Sequence, residues 1–115
     1  MKVAIIGSRT FNDYDRLETT LDMLSAGFGF NVVVSGGADG ADSLAEQYAD
    51  NRHLNRIIHL PKWQLHGKAA GMIRNRDIID DADVVVAFWD GKSRGTKNSM
   101  NLAKEQKKTT IIIYF

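Results

Sequence analysis

The 115-residue chain is expected to form a three-layer α/β fold, with a five-stranded, mostly parallel sheet in the order 3-2-1-4-5 and about four flanking helices. Three observations predict it. Short, continuously apolar runs such as Val3-Ala4-Ile5-Ile6 and Val84-Val85-Val86-Ala87-Phe88 suit strands covered on both faces, as parallel strands are. Between these runs apolar residues recur at helical spacing, and the alternation implies right-handed crossovers. A glycine-rich turn joins one such run to a helical pattern in Val32 to Glu46, VVVSGGADGADSLAE.

Strand one is Val3 to Ile6, broken by Gly7-Ser8-Arg9-Thr10. Tyr14, Leu17, Leu21, Leu24 and Phe28 then mark a helix with Asn12 or Asp13 as its cap, ending near Gly27 or Gly29. Asn31 to Val34 is strand two. The helix after it buries Ala41, Leu44, Ala45, Tyr48 and Ala49, presents Asp42, Glu46 and Gln47 elsewhere, and has Ser35 and Asp39 available as caps. Asn55 to His59 is a short third strand, stopped at Leu60 and Pro61. An irregular basic and aromatic loop follows up to Gly71, and a helix emerging from it runs through Ile73, Arg76, Ile79 and Asp80. Asp83 opens the fourth strand, Val84 to Phe88. A polar loop from Trp89 to Thr96, a helix from about Thr96 to Lys107 and a fifth strand from Thr109 to Tyr114 complete the chain as one domain over residues 1–115.

A net charge of +1 gives no global pull toward nucleic acid or membrane, so an anion site must be local. No cysteine is present, which excludes disulfide and thiolate chemistry and is compatible with a reducing cytoplasm, the expected location. His53, His59 and His66 lack compact metal-ligand spacing, and no metal is expected. The apolar run at Val3 to Ile6 is too short for a signal peptide core or a membrane span.

Ligands of open parallel sheets bind beyond the carboxyl ends of the strands, where strand order reverses. Those ends carry Gly7, Ser8, Arg9 and Thr10, then Ser35, Gly36, Gly37, Asp39 and Gly40, and finally Trp89, Asp90, Gly91, Gly95 and Thr96. Two glycine-containing loops opening helices read as phosphate cradles, because unpaired backbone N–H groups at a helix start attract anions. Trp63 or Trp89 is placed to stack on a base. In Arg74-Asn75-Arg76, Arg74 is the expected anion contact, while Arg76 has Asp80 within reach at i,i+4. Neither GxxxxGK[ST] nor GxGxxG is present, which disfavours a P-loop ATPase and an ordinary dinucleotide dehydrogenase.

Together, IIGSRTF, VVSGGADGADSLAE, WQLHGKAAGMIRN and ADVVVAFWDGKSRGTK resemble the SLOG superfamily, in its YspA or YpsA-related branch, over nearly the whole chain. The resemblance implies a Rossmann-like fold and kinship with LOG phosphoribohydrolases, the DNA-processing protein DprA and domains proposed to sense nucleotide-derived ligands. The LOG signature resembles GGxGTxxE, with the glutamate acting at the N-glycosidic bond. Gly95 and Thr96 match it, but Ser99 stands at the glutamate position, and a hydroxyl cannot supply that negative charge.

The leading expectation is therefore binding or sensing of a small phosphate-bearing ligand, a nucleotide or an NAD- or ADP-ribose-like derivative, with no fixed cofactor. One alternative is an N-glycosidic hydrolase with Asp90, Asp39 or Glu46 as its acid, Asp42 being a further carboxylate on the same rim; for Asp90 the favoured role is capping the Gly91 turn. The other is a DprA-like single-strand binder using Lys62, Trp63, His66, Lys68, Arg74 and Arg76, against which near-neutral charge and small size are counted. Self-association over exposed apolar helix faces makes a homodimer the expected assembly.

Overall fold

The computed structural model describes residues 1–115. Strands β1 (Lys2–Gly7), β2 (Val32–Ser35), β3 (Asn55–Ile58), β4 (Val84–Trp89) and β5 (Thr109–Tyr114) form one sheet in the order β3-β2-β1-β4-β5, with every neighbouring pair parallel. Helices α1 (Tyr14–Phe28), α2 (Ala41–Asn51), α4 (Ala70–Asp81) and α5 (Arg94–Glu105) supply the outer layers, and a single turn, α3 (Trp63–His66), precedes α4. The parallel sheet is what the alternating pattern predicts, and its order is the expected Rossmann-like one.

Because side chains alternate across a strand, β1 sends Val3 and Ile5 to one face and Ala4 and Ile6 to the other. The first face packs on Leu17 and Leu21 of α1 and Ala41, Ala45, Tyr48 and Ala49 of α2. The second packs on Ile78 and Ile79 of α4 and Met100, Leu102 and Ala103 of α5. Full burial on both sides is why β1 and β4 read as unbroken apolar runs. The helices change sides between β1 and β4, so the loops after those two strands diverge and leave an opening.

Local signals explain most boundaries. Asp13 accepts a hydrogen bond from the Arg16 amide at the start of α1, and Gly29 ends the helix in the left-handed conformation. Ser93 caps α5, which therefore begins at Arg94, two residues ahead of its expected start. The segment expected to be irregular is helical over Trp63–His66 and tightens into a 3₁₀ turn at Gly67–Ala69 before α4.

Two expectations about α2 are corrected. Neither Ser35 nor Asp39 caps it: its N-cap is Gly40, with no side-chain bond. Nor does Asp42 point outward; it is 8% exposed and accepts from the Ala38 amide. Helical periodicity assigns a charged residue to the solvent face, but here the incoming loop folds over that face and supplies a donor. No helix is long and apolar enough to cross a membrane.

Gly40 sets how closely α2 seats against the loop after β1. Its φ is 76°, and a Cβ there would lie 2.5 Å from the carbonyl oxygens of both Ser8 and Arg9. Gly40→Ala is expected to lower stability by at least ~2 kcal/mol in urea unfolding, from backbone strain plus the clash. A loss below ~0.5 kcal/mol would show that the two loops are not locked together.

Candidate functional site

A cavity of about 390 Å³ opens at the divergence of β1 and β4. Its walls are Gly7 to Thr10 after β1, Asp90, Ser93, Gly95, Thr96 and Ser99 around the start of α5, Arg74, Asn75 and Ile78 of α4, and Ala38 with Asp42 beside α2. Ser8 joins the two strand loops, since its amide donates to the Phe88 carbonyl at 3.0 Å and its hydroxyl accepts from the Asp90 amide at 3.4 Å.

Asp90 shapes the second loop. One carboxylate oxygen accepts from the amides of Lys92 and Ser93, both at 2.8 Å, and these bonds hold the carboxyl below its ordinary range. This is the turn-capping geometry. Ser93 caps α5 through Thr96, and the Trp89 indole donates to the Ser93 carbonyl at 3.0 Å. Trp89 also packs on Tyr114, with the Lys97 ammonium over its ring, and does not line the cavity.

The glycine loop after β2 is occupied by the chain itself. The Arg74 guanidinium donates from Nη1 to the Gly36 carbonyl at 2.7 Å and from Nε to the Asn75 side-chain oxygen at 3.0 Å. The Asp42 carboxylate takes the Ala38 amide, filling with an internal anion the position a phosphate cradle would offer to a ligand. A Cβ on Gly36 would lie 2.6 Å from Arg74 Nη1 and 2.9 Å from an Asp42 oxygen, so a larger residue would displace the ends of both side chains. Burial pushes the Asp42 carboxyl up to about 6, against the opposing pulls of the Ala38 amide and Arg74. Burial also lowers Arg74; Asp42 raises it and Arg9 lowers it further, which places a second guanidinium within electrostatic reach.

Of the residues singled out from the sequence, the structure brings Gly7, Ser8, Arg9, Thr10, Arg74, Asn75, Asp90, Gly95 and Thr96 to this cavity. Ser35, Gly36, Gly37, Asp39, Gly40, Glu46, Trp63, Trp89 and Gly91 lie outside its lining. Ser35 is buried beneath the loop with its hydroxyl toward Glu46, and Glu46 turns away to Arg56. Trp63 is 58% exposed on α3. Asp42, Ser93 and Ser99 are lining residues that the sequence did not mark as ligand contacts. For Ser93 the signal was there, since a serine ahead of a helical pattern is a cap. Neither Arg9 nor Arg74 has a carboxylate within ion-pair distance. No three His, Asp or Glu side chains converge as a metal-binding group.

A doubly wound α/β domain with an open cavity at the switch point of its sheet belongs to the broad class of Rossmann-like domains. More narrowly, the chain belongs to the YspA, cpYpsA-related SLOG family, whose model matches residues 1–66. The gene 61 protein of Mycobacterium phage D29 is 36% identical over 90% of this chain and 89% of its own length. DNA processing protein A from Helicobacter pylori, a protein with a described single-stranded DNA binding mode, superposes with a TM-score of 0.75 and 28% identity. That superposition covers 97% of this chain but 64% of the other. The TM1055 structure has the same fold, with a TM-score of 0.68 at 22% identity, over 95% of this chain and 71% of that one.

The likeness to a single-strand-binding protein overturns the expectation that counted against a nucleic-acid partner. Net charge sums over the whole surface, and four of the acids cluster around two arginines away from the cavity lining: Glu18 and Asp22 at Arg52, Glu46 and Asp50 at Arg56. The local field at the cavity is set by Arg9 and Arg74 against the carboxylates of Asp42 and Asp90, none of which is in an ion pair.

The Asp42 environment makes stability depend on pH. Its folded-state value of about 6 exceeds the ordinary 3.8, so between those limits the folded chain holds more proton than the unfolded one. Stability therefore falls as pH rises from about 4 to about 6, by ~3 kcal/mol from this group. Asp42→Asn removes that loss. Denaturant unfolding of both proteins at pH 4 and pH 7 should show the variant gaining relative stability at the higher pH, and parallel profiles would contradict the assignment.

Proposed function

We propose that the cavity between the β1 and β4 loops binds the phosphate of a nucleotide or nucleotide-derived ligand. One observation carries this reading: Arg9 and Arg74 face one cavity without a carboxylate ion pair, beside the open start of α5. A phosphate there would gain charge-assisted hydrogen bonds and offset the mutual repulsion of the guanidiniums. Arg74 is held in place by Gly36 and Asn75, which commit Nη1 and Nε and leave Nη2 without a protein partner. No Cβ-sized neighbour crowds Gly95, so a ligand oxygen has room to approach the first turn of α5. Ser8, Ser93 and Thr96 add hydroxyls for the ribose or the remaining phosphate oxygens.

A second reading places a phosphate of single-stranded DNA in the same cavity. It is favoured by the 28% identity to a single-strand-binding protein over 97% of this chain. Salt dependence separates the two readings. A strand that neutralises several phosphates on binding loses affinity steeply with salt, with a slope of roughly −0.7 per phosphate, whereas a mononucleotide has a shallow slope. Of the rim carboxylates weighed for glycosidic cleavage, Asp90 and Asp42 reach the cavity, the first tied to its turn and the second to the Ala38 amide. Hydrolysis accordingly forms no part of this proposal.

Arg9 is exposed and makes no hydrogen bond that the fold needs, so Arg9→Ala isolates binding from stability. By calorimetry, thymidine monophosphate is expected to bind the variant at least tenfold more weakly, about 1.4 kcal/mol, as for loss of one charged hydrogen bond. Equal affinity for the two proteins would remove Arg9 from the site. Failure of any nucleoside phosphate to bind the unmodified protein would remove the reading altogether.

A further inference from the structure

A second cavity of about 380 Å³ lies beyond the carboxyl end of β3, and Arg74 lines both it and the rim cavity. Its floor is apolar, with Ile58, Leu60 and Ile73, while Lys62, His66 and Arg74 stand at its edge with one acid, Asp77. Lys62 lines a third, shallower hollow as well, together with Trp63 and Leu65. These two side chains are 58% and 71% exposed, unusual for large apolar groups, and neither serves the core. The three hollows are therefore strung in a row. A cation stands at each junction, the anchored Arg74 at the first and the unpaired Lys62 at the second, and an exposed indole at the far end.

We propose that this row is a track for single-stranded nucleic acid, with successive nucleotides in the rim cavity, in the β3 cavity and over Trp63. The proposal rests on the single-strand reading above and names its ligand as an oligonucleotide of about three nucleotides. A single strand repeats a phosphate and a flat base, and proteins that hold it without reading sequence alternate cations with stacking surfaces. The row offers that alternation. Arg74 meets the phosphate between the first and second nucleotides, and Lys62 the phosphate between the second and third. The apolar floor of Ile58, Leu60 and Ile73 takes the second base, and the Trp63 ring takes the third. Lys62 and His66 make no ion pair or side-chain hydrogen bond within the protein, so binding a phosphate breaks nothing. His59 in the same cavity is already held by Asp81. A mononucleotide would fill only the rim cavity and leave the rest of the track unused.

The test compares thymidine monophosphate with oligothymidylates of two, three and six nucleotides by calorimetry and by quenching of tryptophan fluorescence. In the unmodified protein, three nucleotides are expected to bind at least tenfold more tightly than one, with no comparable gain from three to six. Trp63→Phe should abolish most of the quenching, and Lys62→Ala should reduce the gain from one to three nucleotides to less than twofold. If the monophosphate binds and the trinucleotide binds no better, the track is wrong and the phosphate reading stands. If the trinucleotide binds better but Lys62→Ala and Trp63→Phe leave gain and quenching unchanged, the strand leaves by another route and the track is again wrong. If neither ligand binds, both readings fall together.

Discussion

The arrangement of this rim depends on one contact set, in which Arg74 and Asp42 close the glycine loop between β2 and α2. The guanidinium takes the Gly36 carbonyl while the carboxylate takes the Ala38 amide, so the loop's polar groups are satisfied from inside the protein. Burying a carboxylate is costly without donors, and the raised Asp42 value records that cost. The return is geometric: α4 is tied to the loop after β2, and Arg74 is fixed at the boundary of two cavities. A flexible cation would pay side-chain entropy on binding a ligand, and this one has been largely ordered beforehand.

That contact set changes the meaning of the glycines. In the sequence, Ser35-Gly36-Gly37 reads as a ligand cradle because glycine-rich loops ahead of helices so often are. In the structure Gly36 makes room for Arg74 and Asp42, and Gly40 makes room for the backbone at Ser8 and Arg9. The uncrowded glycine is instead Gly95, in the first turn of α5. Spacing alone cannot distinguish a glycine that admits a ligand from one that admits the protein's own side chain.

The fold was far more legible than the site, for a physical reason. Strand identity follows from local composition, and β1 and β4 are apolar without interruption because both faces are covered. Right-handed connections then fix the crossover sense, while the order β3-β2-β1-β4-β5 is one of several arrangements that the alternation allows. Site residues depend on which side chains meet across the rim, and that is set by packing. Arg9 and Thr96 are legible from topology, since each lies in or just after a loop that follows a strand end, whereas Arg74 is marked by the Arg74-Asn75-Arg76 run on its helix. Asp42 was assigned to solvent because periodicity treats any charge on a helix as outward-facing, whereas the loop preceding α2 turns back over it. The turn at Trp63–His66 was missed as a helix because a four-residue stretch is too short to show a period.

The central claim, that the β1–β4 cavity holds a nucleotide phosphate, is tested most directly by following the backbone amide and arginine side-chain resonances during titration with thymidine monophosphate. The account predicts that the largest shifts fall on Arg9, Thr10, Gly95, Thr96 and the Arg74 guanidinium, saturating together. Shifts centred instead on Lys2, Lys107 and Lys108, at the opposite rim of the sheet, would contradict it.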